Sequence, residues 1–329
     1  MLMLAGVLGL IAAGAVTMVD FSSDANEETE EDPVSGEAEG AETSASSAWA
    51  GFADIEEPPA NGAIIAGTEA DGAITGTAGG DQIGGYAGND AIWGADGNDD
   101  LHGMSGLDTL AGDAGQDTIF AGGGDDIAQG GAGDDAIFGQ SNDDTLAGGP
   151  GADDLHGGDG YDLLIGHSGD DALQGGLGND CLIGGSGQDA LFGGWGHDLV
   201  DGRDGPAPAP DFVNGGGGDD TLIAGAFDSV TAGSGADHIL LGDWIDPDDG
   251  PARVLDFNPD EDMLVVVYDD AQPTLPRLSL GRDADLPEMT QILLENRVLA
   301  EVRHPGDLTA EDIAFLPMSL AKTSGMPVV

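Results

Sequence analysis

Aspartate recurs at every ninth residue through the middle of this chain. An uninterrupted frame of nine residues runs from Gly76 to Asp201, and its sixth position is Asp in all fourteen units. Carboxylates repeated at one spacing supply hard anionic oxygens, which suit Ca²⁺ because that ion accepts six to eight oxygen ligands in flexible geometry. Two later units place an Asp at the same position. The candidate metal ligands are Asp81, Asp90, Asp99, Asp108, Asp117, Asp126, Asp135, Asp144, Asp153, Asp162, Asp171, Asp180, Asp189, Asp198, Asp220 and Asp237.

Three other positions of the unit indicate how these carboxylates are held. Position 1 is Gly except at Ala121, position 4 is Gly except at Asn142, and position 8 is Ile, Leu or Val except at Ala128. The two glycines allow a tight turn whose carbonyl oxygens lie beside the carboxylate, and Asn142 meets the same demand because Asn tolerates a positive φ. The last three residues of each unit are predicted to form a short strand, with position 8 in the core and positions 7 and 9 outside. Strands this short persist only when they stack.

Charge restricts the partners of the protein. Among 329 residues there are 63 Asp plus Glu but only 7 Lys plus Arg, for a formal net charge of −56, and every basic side chain lies beyond position 202. Binding phosphates requires clustered cationic side chains, so nucleic acid is excluded as a partner. A fold that crowds so many carboxylates must bind cations. No residue pattern identifies a protein or polysaccharide partner.

Several units resemble the nonapeptide repeats of RTX (repeats-in-toxin) proteins, also called hemolysin-type calcium-binding repeats. Those nearest to the consensus G-G-x-G-x-D-x-U-x, in which U is a large aliphatic residue, are GGAGDDAIF at 130–138, GGLGNDCLI at 175–183, GGSGQDALF at 184–192 and GGGGDDTLI at 215–223. The resemblance implies an all-β fold, a right-handed parallel β-roll with two units per coil. It also implies that a calcium ion lies between the turns of units n and n+2, so that Asp81 shares a site with Asp99. The protein would then bind multiple calcium ions, up to about twelve.

Composition changes along the chain predict five segments. Residues 1–19 are uncharged and mostly apolar, and they form either a membrane anchor, which their length favours, or a cleaved signal peptide. Residues 20–60 are expected to be a disordered acidic linker, 61–245 the calcium-binding β-roll with a loop at its PAPAP segment, 246–318 a small β-rich C-terminal cap, and 319–329 a flexible tail. In the cap, Thr309 and Asp312 have the spacing of a capping box.

No catalytic motif accompanies the repeats. The sequence has no HExxH and no G-x-S-x-G, and Cys181 is the only cysteine, so a disulfide within the chain and a cysteine-based zinc site are excluded. We therefore expect a non-enzymatic bacterial protein, secreted or held at the cell surface, that folds when it binds calcium. Two alternatives stay open: an export or folding module of a type I-secreted hydrolase, and a calcium-dependent adhesin or matrix protein.

Overall fold

The computed structural model describes residues 62–205, 207–242, 244–245, 249–271, 276–282, 286–304 and 308–323. The predicted N-terminal apolar segment (1–19) and acidic linker (20–60) lie outside these residues. In the part of the chain that is described, helices long and apolar enough to cross a membrane are absent.

The strands are longer than the sequence predicts. We expected three-residue strands at the end of each unit, but most span six residues, as in β3 (Gln82–Ala87), which covers positions 7 to 9 of one unit and positions 1 to 3 of the next. The ladder continues because backbone N–H and C=O groups in the turn also need partners. Tyr86 and Ala87, for example, pair with Met104 and Ser105 in the coil above.

Successive strands alternate between two sheets, so each coil contributes one strand to each sheet. Strands are numbered in chain order. The first sheet contains, in spatial order, β1 (Ile64–Thr68), β3 (Gln82–Ala87), β5 (Asp100–Ser105), β7 (Thr118–Gly123), β9 (Ala136–Ser141), β11 (Asp154–Asp159), β13 (Ala172–Leu177), β15 (Ala190–Trp195), β17 (Phe212–Gly217), β19 (Ser229–Ser234), β21 (Ala252–Val254), β25 (Arg297–Arg303), β24 (Met289–Leu294) and β23 (Leu278–Arg282). Its strands are parallel except at β24, which is antiparallel to both of its neighbours.

The second sheet is parallel throughout the described residues. It contains β2 (Ala73–Thr75), β4 (Ala91–Asp96), β6 (Thr109–Ala114), β8 (Ile127–Ala132), β10 (Thr145–Pro150), β12 (Leu163–Ser168), β14 (Cys181–Ser186), β16 (Leu199–Asp201), β18 (Thr221–Ile223), β20 (His238–Gly242), β22 (Met263–Tyr268) and β26 (Ile313–Pro317). The predicted parallel β-roll is confirmed.

The core is a double row of position-8 side chains. Ile83, Leu101 and their equivalents in the first sheet are fully buried, as are Ile92 and Leu110 in the second sheet, and all of them belong to one hydrophobic cluster. The prediction that one aliphatic per unit lies inside is therefore confirmed. The small Ala128 is also buried at this position.

The Pro-rich segment interrupts the sequence period without interrupting the sheets. Its described residues, 207–210, lie between β16 and β17. Strand β17 still pairs with β15, so that Leu191 is opposite Val213. Across this insertion equivalent residues are 22 apart, whereas elsewhere in the uninterrupted run they are 18 apart. The extra residues are confined to the turn, as predicted for a loop.

The cap continues both sheets of the roll. The described strands of the cap, β21 to β26, pair with the last strands of the roll or with one another. A 3₁₀ turn (Ala310–Asp312) opens with the predicted capping box at Thr309. Part of the predicted tail is ordered, because Met318–Thr323 form the helix α1 and Ala321 is buried against Ile223, Leu240 and Val267 on the outer face of the second sheet. Apolar side chains on that face favour a covering helix.

Candidate metal centre

All sixteen predicted ligands lie in turns between the two sheets and are buried. Their relative exposure is only 1–3%, an unusual value for Asp. They form two rows, one along each edge of the roll. The first aspartate series follows strands of the second sheet and comprises Asp81, Asp99, Asp117, Asp135, Asp153, Asp171 and Asp189. The second aspartate series follows strands of the first sheet and comprises Asp90, Asp108, Asp126, Asp144, Asp162, Asp180, Asp198, Asp220 and Asp237.

Within each series, one carboxylate oxygen links adjacent coils. The backbone N–H of Asp99 donates to Oδ1 of Asp117 at 2.8 Å, and the same bond recurs along both series at 2.7–2.9 Å. The backbone carbonyl of Asp99 accepts from Thr118 N–H in the same coil as Asp117. The structure thus brings together Asp residues two units apart, the pairing implied by the family resemblance.

The other carboxylate oxygen has no hydrogen-bond partner in almost every repeat. Oδ2 is buried without one in fifteen of the sixteen predicted ligands and in Asp211. Asp81, in the first complete unit, is the exception, because its Oδ2 accepts from the backbone N–H of Thr77. A buried anionic oxygen without a partner carries a large desolvation cost. The row of such oxygens therefore needs a cation or a proton.

Position-1 glycines keep the space beside this oxygen open. A methyl group added to Gly85 would lie 2.6 Å from Oδ2 of Asp90 and 2.9 Å from the carbonyl oxygen of Gly103 in the next coil. The unpartnered carboxylate oxygen and a backbone carbonyl oxygen thus border the same small space. Gly85 does not have a positive φ, so glycine is required there because of this close approach.

Positive φ occurs instead at positions 2 and 4. Asn142 has a φ of 80° at position 4, as predicted, but position 2 also adopts this conformation and the sequence did not reveal it. Seven units place a residue other than Gly there. Thr77 is the one without a positive φ, and the other six are Tyr86, Ala95, Met104, Asp113, Gln140 and His167. These residues hold a backbone conformation that is unfavourable for L-amino acids.

Burial and mutual repulsion disfavour ionisation of the aspartates. Burial is the largest cause, and it raises the pKa of Asp144 from 3.8 to about 8, with repulsion from Asp126 and Asp162 acting in the same direction. The backbone hydrogen bond from Asp126 lowers the pKa of Asp144 but does not offset burial. Similar causes raise the pKa of Asp117 and Asp171 to about 7.

This donor set fits Ca²⁺. Among the described residues, clusters of three or more Asp, Glu, His or Cys side chains that could hold a metal ion are absent. Side chains alone would not complete a calcium coordination shell there, so backbone carbonyl oxygens of the turns, such as that of Gly103 beside Asp90, would supply further ligands. All of these donors are hard oxygens, which Ca²⁺ prefers. Bound there, the ion would supply the positive charge that Oδ2 lacks.

Three further aspartates extend the two series. Asp211 Oδ1 accepts from Asp189 N–H at 2.8 Å, and Asp228 Oδ1 accepts from Asp211 N–H at 3.1 Å. Asp262, in the cap, accepts from Asp237 N–H at 3.2 Å. Burial raises the pKa of Asp211 to about 9 and that of Asp228 to about 8. A sequence signal exists for Asp211 and Asp228, since they lie nine residues before Asp220 and Asp237, but the insertion puts them out of register with the frame that starts at Gly76.

Comparison with known families agrees with this arrangement. The RTX calcium-binding nonapeptide repeat, taken as four copies, matches overlapping segments that together span residues 67–206 and 209–243. The chain belongs to this RTX repeat family. None of the curated proteins compared with the whole chain matches it.

The repeats of this RTX protein are thus calcium-binding repeats. One matched segment ends at residue 206 and the next begins at residue 209, where the Pro-rich turn interrupts the period. The segment 209–229 contains Asp211 and Asp228. They end at residue 243, close to the last regular coil. The family match and the continuous carboxylate ladder therefore end in the same region.

Proposed function

We propose that this RTX protein is a non-enzymatic secreted or surface protein in which calcium binding between adjacent coils causes the roll to fold. The observation that carries the proposal is the row of buried Oδ2 atoms without partners along both aspartate series. A cation between successive coils would neutralise these oxygens. The first-series and second-series Asp residues are the proposed ligands, together with carbonyl oxygens of the turns.

Calcium would control folding because the metal-free roll is electrostatically unfavourable. Its buried aspartates either remain charged beside each other or take up protons, as the raised pKa values indicate. A ligand that binds only the folded state stabilises it by mass action, and many equivalent sites multiply that effect. We therefore propose that ordering of the coils is coupled to calcium occupancy.

The hydrogen bonds between Asp residues of successive coils continue beyond the uninterrupted repeats, so they support additional calcium sites. Twelve N–H to Oδ1 bonds join successive Asp residues between Asp81 and Asp198. Four more bonds continue the series to Asp228 and Asp237. If each gap that precedes the cap holds one ion, the count reaches sixteen and exceeds the twelve implied by the family resemblance. Native mass spectrometry at saturating calcium measures this number.

Three further considerations support an extracellular and non-catalytic role. Proteins with these repeats are typically secreted, and the repeat roll is typically non-catalytic. The sequence offers no catalytic motif outside the repeats. Free calcium outside the cytoplasm is abundant enough to occupy sites of modest affinity, such as those of extracellular modules.

Circular dichroism with a chelator and then with excess calcium tests the proposal directly. We expect low β content in the chelator and a large gain when Ca²⁺ is restored, with a much smaller gain for Mg²⁺, because that ion demands a tight octahedron and dehydrates reluctantly. Equal β content in chelator and calcium at neutral pH would refute calcium-driven folding.

A further inference from the structure

Three exposed apolar side chains lie in adjacent coils at the edge that carries the second aspartate series. Trp195 is 70% exposed, Tyr161 is 62% exposed and Leu177 is 53% exposed, on a surface otherwise rich in Gly and Asp. Leu177 and Trp195 end the neighbouring strands β13 and β15 and are directly opposite in the ladder, and Tyr161 lies in the turn that follows β11. Three coils span roughly 10 Å along the roll. We call these three residues the Trp195 strip.

The indole of Trp195 packs against the backbone of the next coil. A methyl group added to Gly217, its partner in the next coil, would lie 3.1 Å from Cε3 and 3.2 Å from Cζ3 of the indole. The six-membered ring therefore lies against the backbone of Gly217, where a larger residue would displace it. Because Trp195 is largely exposed, the ring presents its other side to solvent as an aromatic surface.

Polar groups with defined positions flank the Trp195 strip. Asp159, at the end of β11, is directly opposite Leu177 on the neighbouring strand β13. The backbone N–H of His197 donates to Oδ1 of Asn179 at 2.8 Å, and Nδ1 of His197 accepts from Asp219 N–H at 2.9 Å. The Asp159 carboxylate, the Asn179 amide and the His197 imidazole can exchange hydrogen bonds with hydroxyl groups placed over the strip.

The size and charge of the strip restrict what it binds. A stable protein interface needs roughly 800 Å² and 20–30 residues on each side, which three side chains do not approach. A polyanion is unsuitable because the flanking charges are acidic and no Lys or Arg precedes position 202. An uncharged chain of sugar rings fits, since pyranose C–H groups are attracted to the negative face of an aromatic ring and hydroxyls reach the flanking polar groups.

We propose that the Trp195 strip binds a neutral polysaccharide, with Trp195 stacking on one sugar ring and Tyr161 contacting another further along the polymer. This inference goes beyond calcium binding, but it rests on the roll being folded. It assigns the protein a second surface for a ligand, on the outside of the turns and distinct from the buried carboxylates.

Affinity gel electrophoresis in the presence of calcium tests the inference. The full chain is run through gels containing hydroxyethyl cellulose, galactomannan or dextran, beside Trp195→Ala and a control variant, Trp93→Ala, which alters the outer face of the second sheet. We expect at least one of these polymers to retard the unaltered chain, with affinity reduced about tenfold or more by Trp195→Ala and unchanged by Trp93→Ala. Circular dichroism of each variant in calcium establishes that it is folded.

Two outcomes would overturn the inference. One is mobility unaffected by all three neutral polymers, including the case in which only a cationic polypeptide such as polylysine retards the chain. The other is equal retardation of the folded Trp195→Ala variant. A roll that is ordered both with and without calcium would refute the proposed function alone, because the gels report polysaccharide binding in either case.

Discussion

At the scale of single residues, the two oxygens of most buried repeat aspartates have different roles. Oδ1 accepts the backbone N–H of the Asp one coil earlier and so joins the coils, as Asp144 does with Asp126 at 2.9 Å. Oδ2 lacks a protein partner and is available to a metal ion. An Asn at the same position would keep an acceptor for the coil-to-coil bond and remove the negative charge. Asp to Asn substitutions therefore separate the two roles.

We predict that Asp144→Asn weakens the two calcium sites next to it by about tenfold or more, because calcium affinity depends on the number of charged ligands. The calcium concentration needed for half-maximal folding should rise, and native mass spectrometry should detect fewer bound ions. The matched control is Asp143→Asn, since Asp143 is exposed and its Oδ1 accepts from Tyr161 N–H, a bond that Asn retains. Similar calcium titrations for the two variants would contradict the assignment of Asp144 as a ligand.

Adjacent glycines provide a second residue-scale prediction. Gly85→Ala places a methyl group in the space shared by Oδ2 of Asp90 and the carbonyl of Gly103, whereas a methyl group at Gly84 meets no atom within 4 Å. Because Ala121 already occupies position 1 in one unit, Gly85→Ala should fold, but with weaker calcium binding. Gly84→Ala should be neutral or stabilising by about 0.5–1 kcal/mol.

Calorimetric calcium titration of both variants checks this pair. If Gly84→Ala weakened binding as much as Gly85→Ala, the loss would reflect strand flexibility in general. The space beside Oδ2 would then have no special role.

At the scale of the turn between strands, backbone strain varies from coil to coil. Gly fills position 2 in several units, but Gln140 has a φ of 82° there and its side chain is exposed. A left-handed conformation costs a residue other than Gly about 1–2 kcal/mol. Coils with such residues are therefore less stable than coils with Gly at the same place.

We predict that Gln140→Gly stabilises the calcium-bound roll by about 1 kcal/mol, because Gly adopts this φ without strain and the exposed side chain makes no buried contact. Gln129→Gly is the control, since Gln129 is exposed within β8 and its φ is not positive. Gly there should destabilise by about 0.5–1 kcal/mol. Urea unfolding in calcium measures both changes, and the same sign for the two variants would contradict this account of the turn.

At the scale of the whole molecule, the protein concentrates negative charge inside its own fold. Burial raises the pKa of Asp211 to about 9 and that of Asp180 to about 7, from an ordinary value of 3.8. Between these values and pH 4, the folded metal-free chain binds more protons than the unfolded chain does. Its stability is therefore greatest below about pH 4 and is lost as the pH rises through roughly 6 to 9.

We predict opposite pH dependences with and without metal. In a chelator, β content should be higher at about pH 5 than at about pH 9, because protons then neutralise the buried carboxylates. With calcium, the apparent affinity should be weaker at about pH 5, because the ion competes with those protons. Circular dichroism and calcium titration at both values test this. A chelated protein that gains structure as the pH rises would be inconsistent with buried, unpaired carboxylates.

The amino-acid sequence was sufficient to predict the features that depend on local spacing. Its period of nine placed an Asp in each turn and one aliphatic in the core per unit, and its composition required cations. Both follow because turn geometry and strand alternation act within a few residues. The family resemblance supplied the pairing of units n and n+2.

The tertiary structure was needed to show which carboxylate oxygens lack a partner, because that depends on contacts between residues 18 apart in adjacent coils. It also assigned the position-1 glycines to close packing and positive φ to position 2. Finally, it showed that the hydrogen bonds between Asp residues of successive coils continue past the Pro-rich turn to Asp211 and Asp228. Stacking of backbones maintains that register even where the period along the chain is broken.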